Sequence, residues 1–196
     1  MIETVAAAVR GGVTAVQLRD KQATDADLVD QGRALKAVLA GTGVPLIVND
    51  RVDVALAVGA DGVHLGQSDA GVRAARARLG SGAIIGLSVQ TPALARAVDP
   101  VLVDYVGVGP VFPTGTKPDH STPLGFDGLA LVCAASPVPV VAIGGLRSAH
   151  TGAVAAAGTQ GMALVSAICA AESPELAARE VAEAVRAVVT AQGAEV

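Results

Sequence analysis

Short β-branched runs alternate along the chain with longer stretches in which apolar residues recur every three or four positions. The first pattern fits strands buried on both faces, and the second fits helices laid against them. Strands are predicted over residues 13–18 (VTAVQL), 44–49 (VPLIVN), 62–65 (GVHL), 83–88 (AIIGLS), 104–109 (DYVGVG), 138–143 (VPVVAI) and 161–165 (GMALV). Helices are predicted over 25–39, 52–58, 71–79, 92–98, 126–135, 148–157 and 174–192, with Thr24, Thr91 and Ser173 placed to cap three of them. Residues 2–10, ahead of the first strand, also read as helical.

Strands joined by helical crossovers run parallel and are covered by helices, which leaves an open doubly wound sheet or a closed barrel. Polar residues follow nearly every strand, whereas an open sheet gathers its functional groups at one switch point. The expected fold is therefore α/β, a TIM-type (β/α)8 barrel in a single domain over residues 1–196. Seven strands are one short of that plan, and the chain opens on a helix. The first β-strand of the eightfold unit is thus expected to be missing, which leaves two unpaired sheet edges unless the gap closes or another chain fills it.

Composition narrows the class of function. The apolar share is 52%, carried by Ala and Val, and aromatic residues make up 2%, a mix suited to close packing of helices on strands. A net charge of −4 without a basic run argues against a nucleic-acid partner. No signal segment or uninterrupted apolar span is evident, so a soluble, cytoplasmic protein without a membrane partner is expected. Cys133 and Cys169 lie in apolar stretches without CxxC spacing, which predicts buried core thiols rather than a disulfide or zinc site.

Candidate chemistry sits at the strand ends. The first strand runs into Gln17-Leu18-Arg19-Asp20-Lys21, where alternation places Gln17, Arg19 and Lys21 on one side. Two cations and an amide suit an oxyanion such as a diphosphate; the structural alternative is a solvated strand end whose charges pair with Asp20 or Asp25. The second strand delivers Asn49-Asp50-Arg51 and the third lies within Asp61–Asp69, so Asp50 and Asp69 can hold a hard cation such as Mg²⁺ at neighbouring rims. Asp69 would equally serve as a helix cap. His64, on an apolar strand, is read as a satisfied interior or rim histidine and stays outside the candidate catalytic set.

Ser88 closes the fourth strand, and the fifth opens onto GPVFPTGTK, in which Thr114, Thr116, Lys117 and the amides around Gly115 make a compact anion cradle. So long a Pro- and Gly-rich loop suits an active-site lid. Gly144-Gly145 and Val165-Ser166 end the last two strands, where barrels frequently grip a phosphate through backbone amides. A tight turn is the modest alternative for the glycine pair.

Taken in order, QLRDK, VNDR, GVHLGQSD, GLS, GPVFPTGTK, AIGG and VSAI resemble the thiamine phosphate synthase family, from about Val13 to Ile168. The resemblance implies transfer of an aminopyrimidine methyl group from its diphosphate ester to the ring nitrogen of a thiazole phosphate, releasing diphosphate and forming thiamine phosphate. It implies Mg²⁺ as cofactor and small molecules as partners, and it allows a homo-oligomer. Carried over, Gln17, Arg19 and Lys21 would embrace the pyrimidine diphosphate with Asn49, Asp50 and Asp69 would hold the metal, and Ser88 would line the pyrimidine side. Thr114 and Thr116 would meet the thiazole phosphate or diphosphate, Lys117 would steady the departing diphosphate, and Gly145, Val165 and Ser166 would complete the second pocket. Arg19, Lys21 and Lys117 are then the candidate catalytic groups. The rivals are a thiazole tautomerase-like paralogue, a non-catalytic binder of phosphate ligands and an unrelated phosphosugar barrel.

Overall fold

The computed structural model describes residues 1–67, 71–114 and 122–193. Helix α1 (Ile2–Arg10) leads into β1 (Val16–Leu18), α2 (Asp25–Leu39), β2 (Leu46–Asn49), α3 (Val52–Val58) and β3 (Gly62–Leu65). The middle third is α4 (Val72–Leu79), β4 (Ile84–Val89), α5 (Pro92–Arg96), β5 (Tyr105–Val108) and α6 (Gly125–Cys133). Then come β6 (Val140–Ile143), a 3₁₀ turn at Ser148–His150, α7 (Thr151–Ala156), β7 (Gly161–Ala163), α8 (Ser166–Cys169) and α9 (Pro174–Gly193).

The expected caps form. The Thr24 side chain accepts from Asp27 N–H while the Asp27 carboxylate takes the Thr24 N–H, a reciprocal capping box. Thr91 accepts from Leu94 N–H at 3.2 Å, and Ser173 from Leu176 N–H at 3.4 Å. Several strands start later than the apolar runs suggest. Pro45 and Pro139 have no N–H to give a ladder, and each serves only as an acceptor, from Val16 and Val106 respectively. Pairing therefore begins at Leu46 and Val140. Conversely, β4 runs one residue past Ser88 to Val89.

All seven strands are parallel and pair in chain order, so β1 and β7 are the edges of one curled sheet. Residues on its outer face, among them Leu46, Val48, Val63, Leu65, Ile85, Val106 and Val108, are wholly buried under the helices. These form two adjoining cores, one around β1–β4 with α2 and α3, the other around β5 and β6 with α6. The result is the expected barrel type, a curled parallel sheet of seven strands. The helical layer, however, meets itself across the seam. Arg10 Nε donates to Glu175 Oε2 at 2.9 Å, and Gly11 lies so close to α9 that a Cβ there would stand 2.6 Å from that of Ala178. Ala8, Ile168 and Ala178 fill the small core between α1, α8 and α9.

Among the described residues no helix is long and apolar enough to cross a membrane. Both cysteines are free. Cys133 is half-buried, and burial pushes its thiol up. Cys169 corrects the expectation of two core thiols: in the single turn of α8 it is Ile168 that points inward, leaving Cys169 exposed.

Candidate functional site

The inner face of the sheet differs in kind from the outer one. Register aligns Asn49 of β2 with His64 of β3, Gly86 of β4 and Tyr105 of β5, and Gln17 and Ser88 lie two places away along their strands on the same face. Polar side chains thus line the interior of the curl.

At the carboxyl end of β1 the strand stops at Leu18, so Arg19 and Lys21 project from the loop beyond it. Arg19 is half-buried, and its Nε is buried without a hydrogen-bond partner. A guanidinium donor removed from water and left unpaired costs free energy until an acceptor arrives. Lys21 Nζ stands 3.6 Å from Asp50 Oδ2, which brings the β1 and β2 rims together. The alternative pairings expected at this rim do not occur. Asp20 Oδ1 instead accepts from the N–H groups of Gln22 and Ala23, and Asp25 is taken by Arg51.

Asp50 holds the left-handed backbone region with φ 63°, the only non-glycine to do so among the described residues. Its N–H donates to the His64 carbonyl at 2.9 Å, and Arg51 N–H closes a three-residue turn on the Asn49 carbonyl at 2.8 Å. Such a conformation in a non-glycine residue marks a position fixed by its surroundings. Here it aims a half-buried carboxylate over the mouth of the sheet, beside Lys21.

Deeper in, His64 is 8% exposed, with Nδ1 2.9 Å from Tyr105 Oη and Nε2 2.9 Å from Ser88 Oγ. It is the satisfied interior histidine expected. The Tyr105 phenol, pushed up to about 12 by burial against a smaller downward pull from a hydrogen bond with Gln17, stays protonated at neutral pH. Gln67 Nε2 donates to the Ser88 carbonyl at 2.8 Å and fixes that stretch of β4 from the side. Sequence reasoning missed Tyr105; the available signal was that it is the chain's one tyrosine, opening a strand between Asp104 and Val106.

On the far side, Gly145 has φ 64°, and a Cβ there would stand 2.7 Å from Phe112 Cβ and 2.8 Å from the Pro113 carbonyl. Phe112 N–H donates to the Gly144 carbonyl at 3.1 Å, so the loop after β6 is seated against the segment after β5 that carries Thr114. Val165, 46% exposed, precedes the single turn of α8, which begins at the exposed Ser166. The structure therefore brings Gln17, Arg19, Lys21, Asn49, Asp50 and Ser88 to one side of the mouth, and Thr114, Gly145, Val165 and Ser166 to the strand ends opposite. Asp69, Thr116 and Lys117 lie outside the described residues. No group of three or more His, Cys, Asp or Glu assembles among the described residues.

Residues 1–168 match the family model described as thiamine monophosphate synthase. The chain belongs to that family. A thiamine-phosphate synthase of Xanthobacter autotrophicus is 54% identical over 187 residues, spanning 95% of this chain and 89% of the relative. One from Albidiferax ferrireducens is 50% identical over 189 residues, 96% of this chain and 86% of the relative. Among solved structures, the thiamine phosphate pyrophosphorylase of Pyrococcus furiosus superposes with a TM-score of 0.86 at 36% identity, covering 96% of this chain and 90% of that one. Membership in the thiamine monophosphate synthase family makes the chain a transferase and accounts for the order of motifs along the strands.

Proposed function

We propose that this chain joins hydroxymethylpyrimidine diphosphate to a thiazole phosphate, giving thiamine phosphate and diphosphate. The observation that carries the reading furthest is the rim of β1 and β2, where the unpaired buried Nε of Arg19 and the Lys21–Asp50 pair face one opening. That rim suits the diphosphate end of a substrate. As the bond from the pyrimidine methylene carbon to oxygen breaks, negative charge grows on the diphosphate and positive charge spreads over the aminopyrimidine. Fixed donors that meet the leaving oxygens lower the barrier only if they hold them more tightly in the transition state than before it. Arg19 and Lys21, with Lys117, take that role; Gln17 and Asn49 bind beside them, and Ser88 faces the pyrimidine. Thr114, Thr116, Gly145, Val165 and Ser166 hold the thiazole phosphate so that its ring nitrogen is aligned with the carbon it attacks. No general base is required.

Asp50 and Asp69 would hold Mg²⁺. The donor set fits, since this ion takes one or two carboxylates and fills its shell with phosphate oxygens and water rather than a protein cage. When bound, it neutralises charge on the diphosphate. Free thiols at Cys133 and Cys169 agree with a reducing, cytoplasmic setting. A tautomerase would need no diphosphate rim, and the relatives are named as synthases.

The deciding assay mixes the protein with pyrimidine diphosphate, thiazole phosphate and Mg²⁺ and follows both products. Thiamine phosphate and diphosphate should appear together only when both substrates are present. Calorimetric uptake of thiazole phosphate by a folded sample that releases no diphosphate would establish a binder instead. In the active protein, Lys117→Ala should slow the chemical step by roughly 10²-fold, the scale of losing one strong electrostatic donor; an unchanged single-turnover rate would remove Lys117 from the mechanism.

A further inference from the structure

Among the described residues only His64 and Thr151 are buried polar side chains. Thr151 is accounted for, since its hydroxyl donates to the Ser148 carbonyl at 2.7 Å within one helical turn. His64 is polar for a longer-range reason. It reaches across β4 to partners 41 residues away on β5 and 24 residues away on β4. The sheet is cut to fit it: a Cβ at Gly86 would stand 2.5 Å from His64 Nδ1, and one at Gly107 would stand 2.8 Å from Cε1. Two glycines on adjacent strands thus clear the path along which the imidazole lies, and Gly86 pairs in register with both His64 and Tyr105.

The order of protons along this row follows from its members. Tyr105 stands between Gln17 and His64, sharing a hydrogen bond with each. Burial keeps the phenol protonated, and a proton held in the interior needs an acceptor, which His64 Nδ1 supplies at 2.9 Å, whereas Ser88, half-buried at the mouth, can turn its own proton outward. A neutral imidazole that accepts at Nδ1 carries its proton on Nε2. Nε2–H then donates to Ser88 Oγ, leaving the serine proton to point away from the histidine.

We infer that His64 is a positioning residue which, held by Tyr105 as the Nε2–H tautomer, orients Ser88 as a hydrogen-bond donor to an acceptor atom of the aminopyrimidine, with Gln17 fixed at the other end of the same row. The inference rests on the reading that Ser88 and Gln17 face the pyrimidine. A row with one sense of donation presents a donor at Ser88 and discriminates against a ring whose edge offers the opposite pattern, because a mismatched buried pair leaves two groups unsatisfied.

The test has an arm that needs no turnover. Nitrogen NMR of the imidazoles in the unliganded protein, with His64 assigned by its loss in His64→Gln, should show Nε2 protonated and Nδ1 bare; Tyr105→Phe should mix the tautomers. A proton on Nδ1 in the parent protein overturns the inference. In the kinetic arm, His64→Gln retains an amide donor within reach of Ser88 and should keep kcat/KM for the pyrimidine diphosphate within about threefold. His64→Asn, too short to reach it, should lower that value roughly 10- to 100-fold while leaving KM for the thiazole phosphate unchanged. Combining His64→Asn with Ser88→Ala should cost little more than Ser88→Ala alone. Equal losses for both substrates, or additive losses in the double variant, would show a merely structural histidine. Should the parent protein make no thiamine phosphate, the functional reading falls, while the tautomer measurement still decides the proton order.

Discussion

With Asp50 as the proposed Mg²⁺ ligand, two burdens fall on it that substitution can separate. Its left-handed backbone is tolerated by asparagine nearly as well as by aspartate, whereas a residue without a short polar side chain gives up about 1–2 kcal/mol in that region. Asp50→Asn should therefore melt close to the parent protein yet need several-fold more Mg²⁺ for half-maximal activity, and Asp50→Ala should lose both stability and metal response. Thermal melts alongside Mg²⁺ titrations resolve the two. Tyr105 offers a second handle, because the chain has one tyrosine and no tryptophan. Its phenolate absorbance should titrate near pH 12 when folded and near 10 when unfolded. A pKa raised by folding means that this contribution to stability is complete below pH 10 and is lost as pH climbs through 12. A folded-state midpoint at 10 would show that the phenol is not sealed into the interior row. The placing of Arg19, Lys21 and Asp50 at neighbouring strand ends was legible from sequence, because each directly follows an apolar run. Tyr105 was not, since its partners Gln17 and His64 become neighbours only when the sheet curls.

Elements were legible where chain chemistry is local. The capping threonines and the seven alternations of strand and helix follow from neighbours in sequence, whereas α8, a single turn, is too short to carry a periodic signal. Strand starts at Leu46 and Val140 were displaced by the prolines before them. Between elements, Asp61 acts as a bracket: its carboxylate accepts from Leu46 N–H at 2.8 Å and from Lys36 Nζ at 3.1 Å, tying α2 to the start of β2. Burial raises its pKa, but those hydrogen bonds and the lysine charge outweigh burial and hold the carboxyl below its usual range. Because folding depresses this pKa, the stabilisation is present above the unfolded value of 3.8 and is lost as pH falls through the folded one. Urea melts should find Asp61→Asn less stable than the parent near neutrality, with the gap narrowing in strong acid. A gap independent of pH would remove the charge from the explanation. One residue on, a Cβ at Gly62 would run into the Ile84 carbonyl, part of the backbone itself. Gly62→Ala should accordingly cost about 2 kcal/mol or more, measured by the same melts.

At the scale of the whole molecule, the strands stop short of a full turn while the helices around them do not. The α/β plan and the count of seven strands could be read from sequence, but the means of holding the seam could not, because α1 and α9 stand at opposite ends of the chain. Backbone amides in β1 and β7, each with a neighbour on one side only, should exchange hydrogen faster than those in β3, β4 and β5. Uniform protection across all seven strands, read by mass spectrometry, would mean that the edges are covered in solution.

That seam has a mechanical meaning. A hoop closed by hydrogen bonds all round can widen only by breaking them, whereas a hoop with a slit widens by bending, as a spring clip does. Gln17 and Arg19 sit on one lip of the slit and Val165 and Ser166 on the other, so among the described residues no strand-to-strand hydrogen bond fixes the distance between them. The stiffness that resists its opening comes from outside the sheet, from the contact of Arg10 and Gly11 with Glu175 and Ala178. Anything that grips both lips at once would tighten the clip.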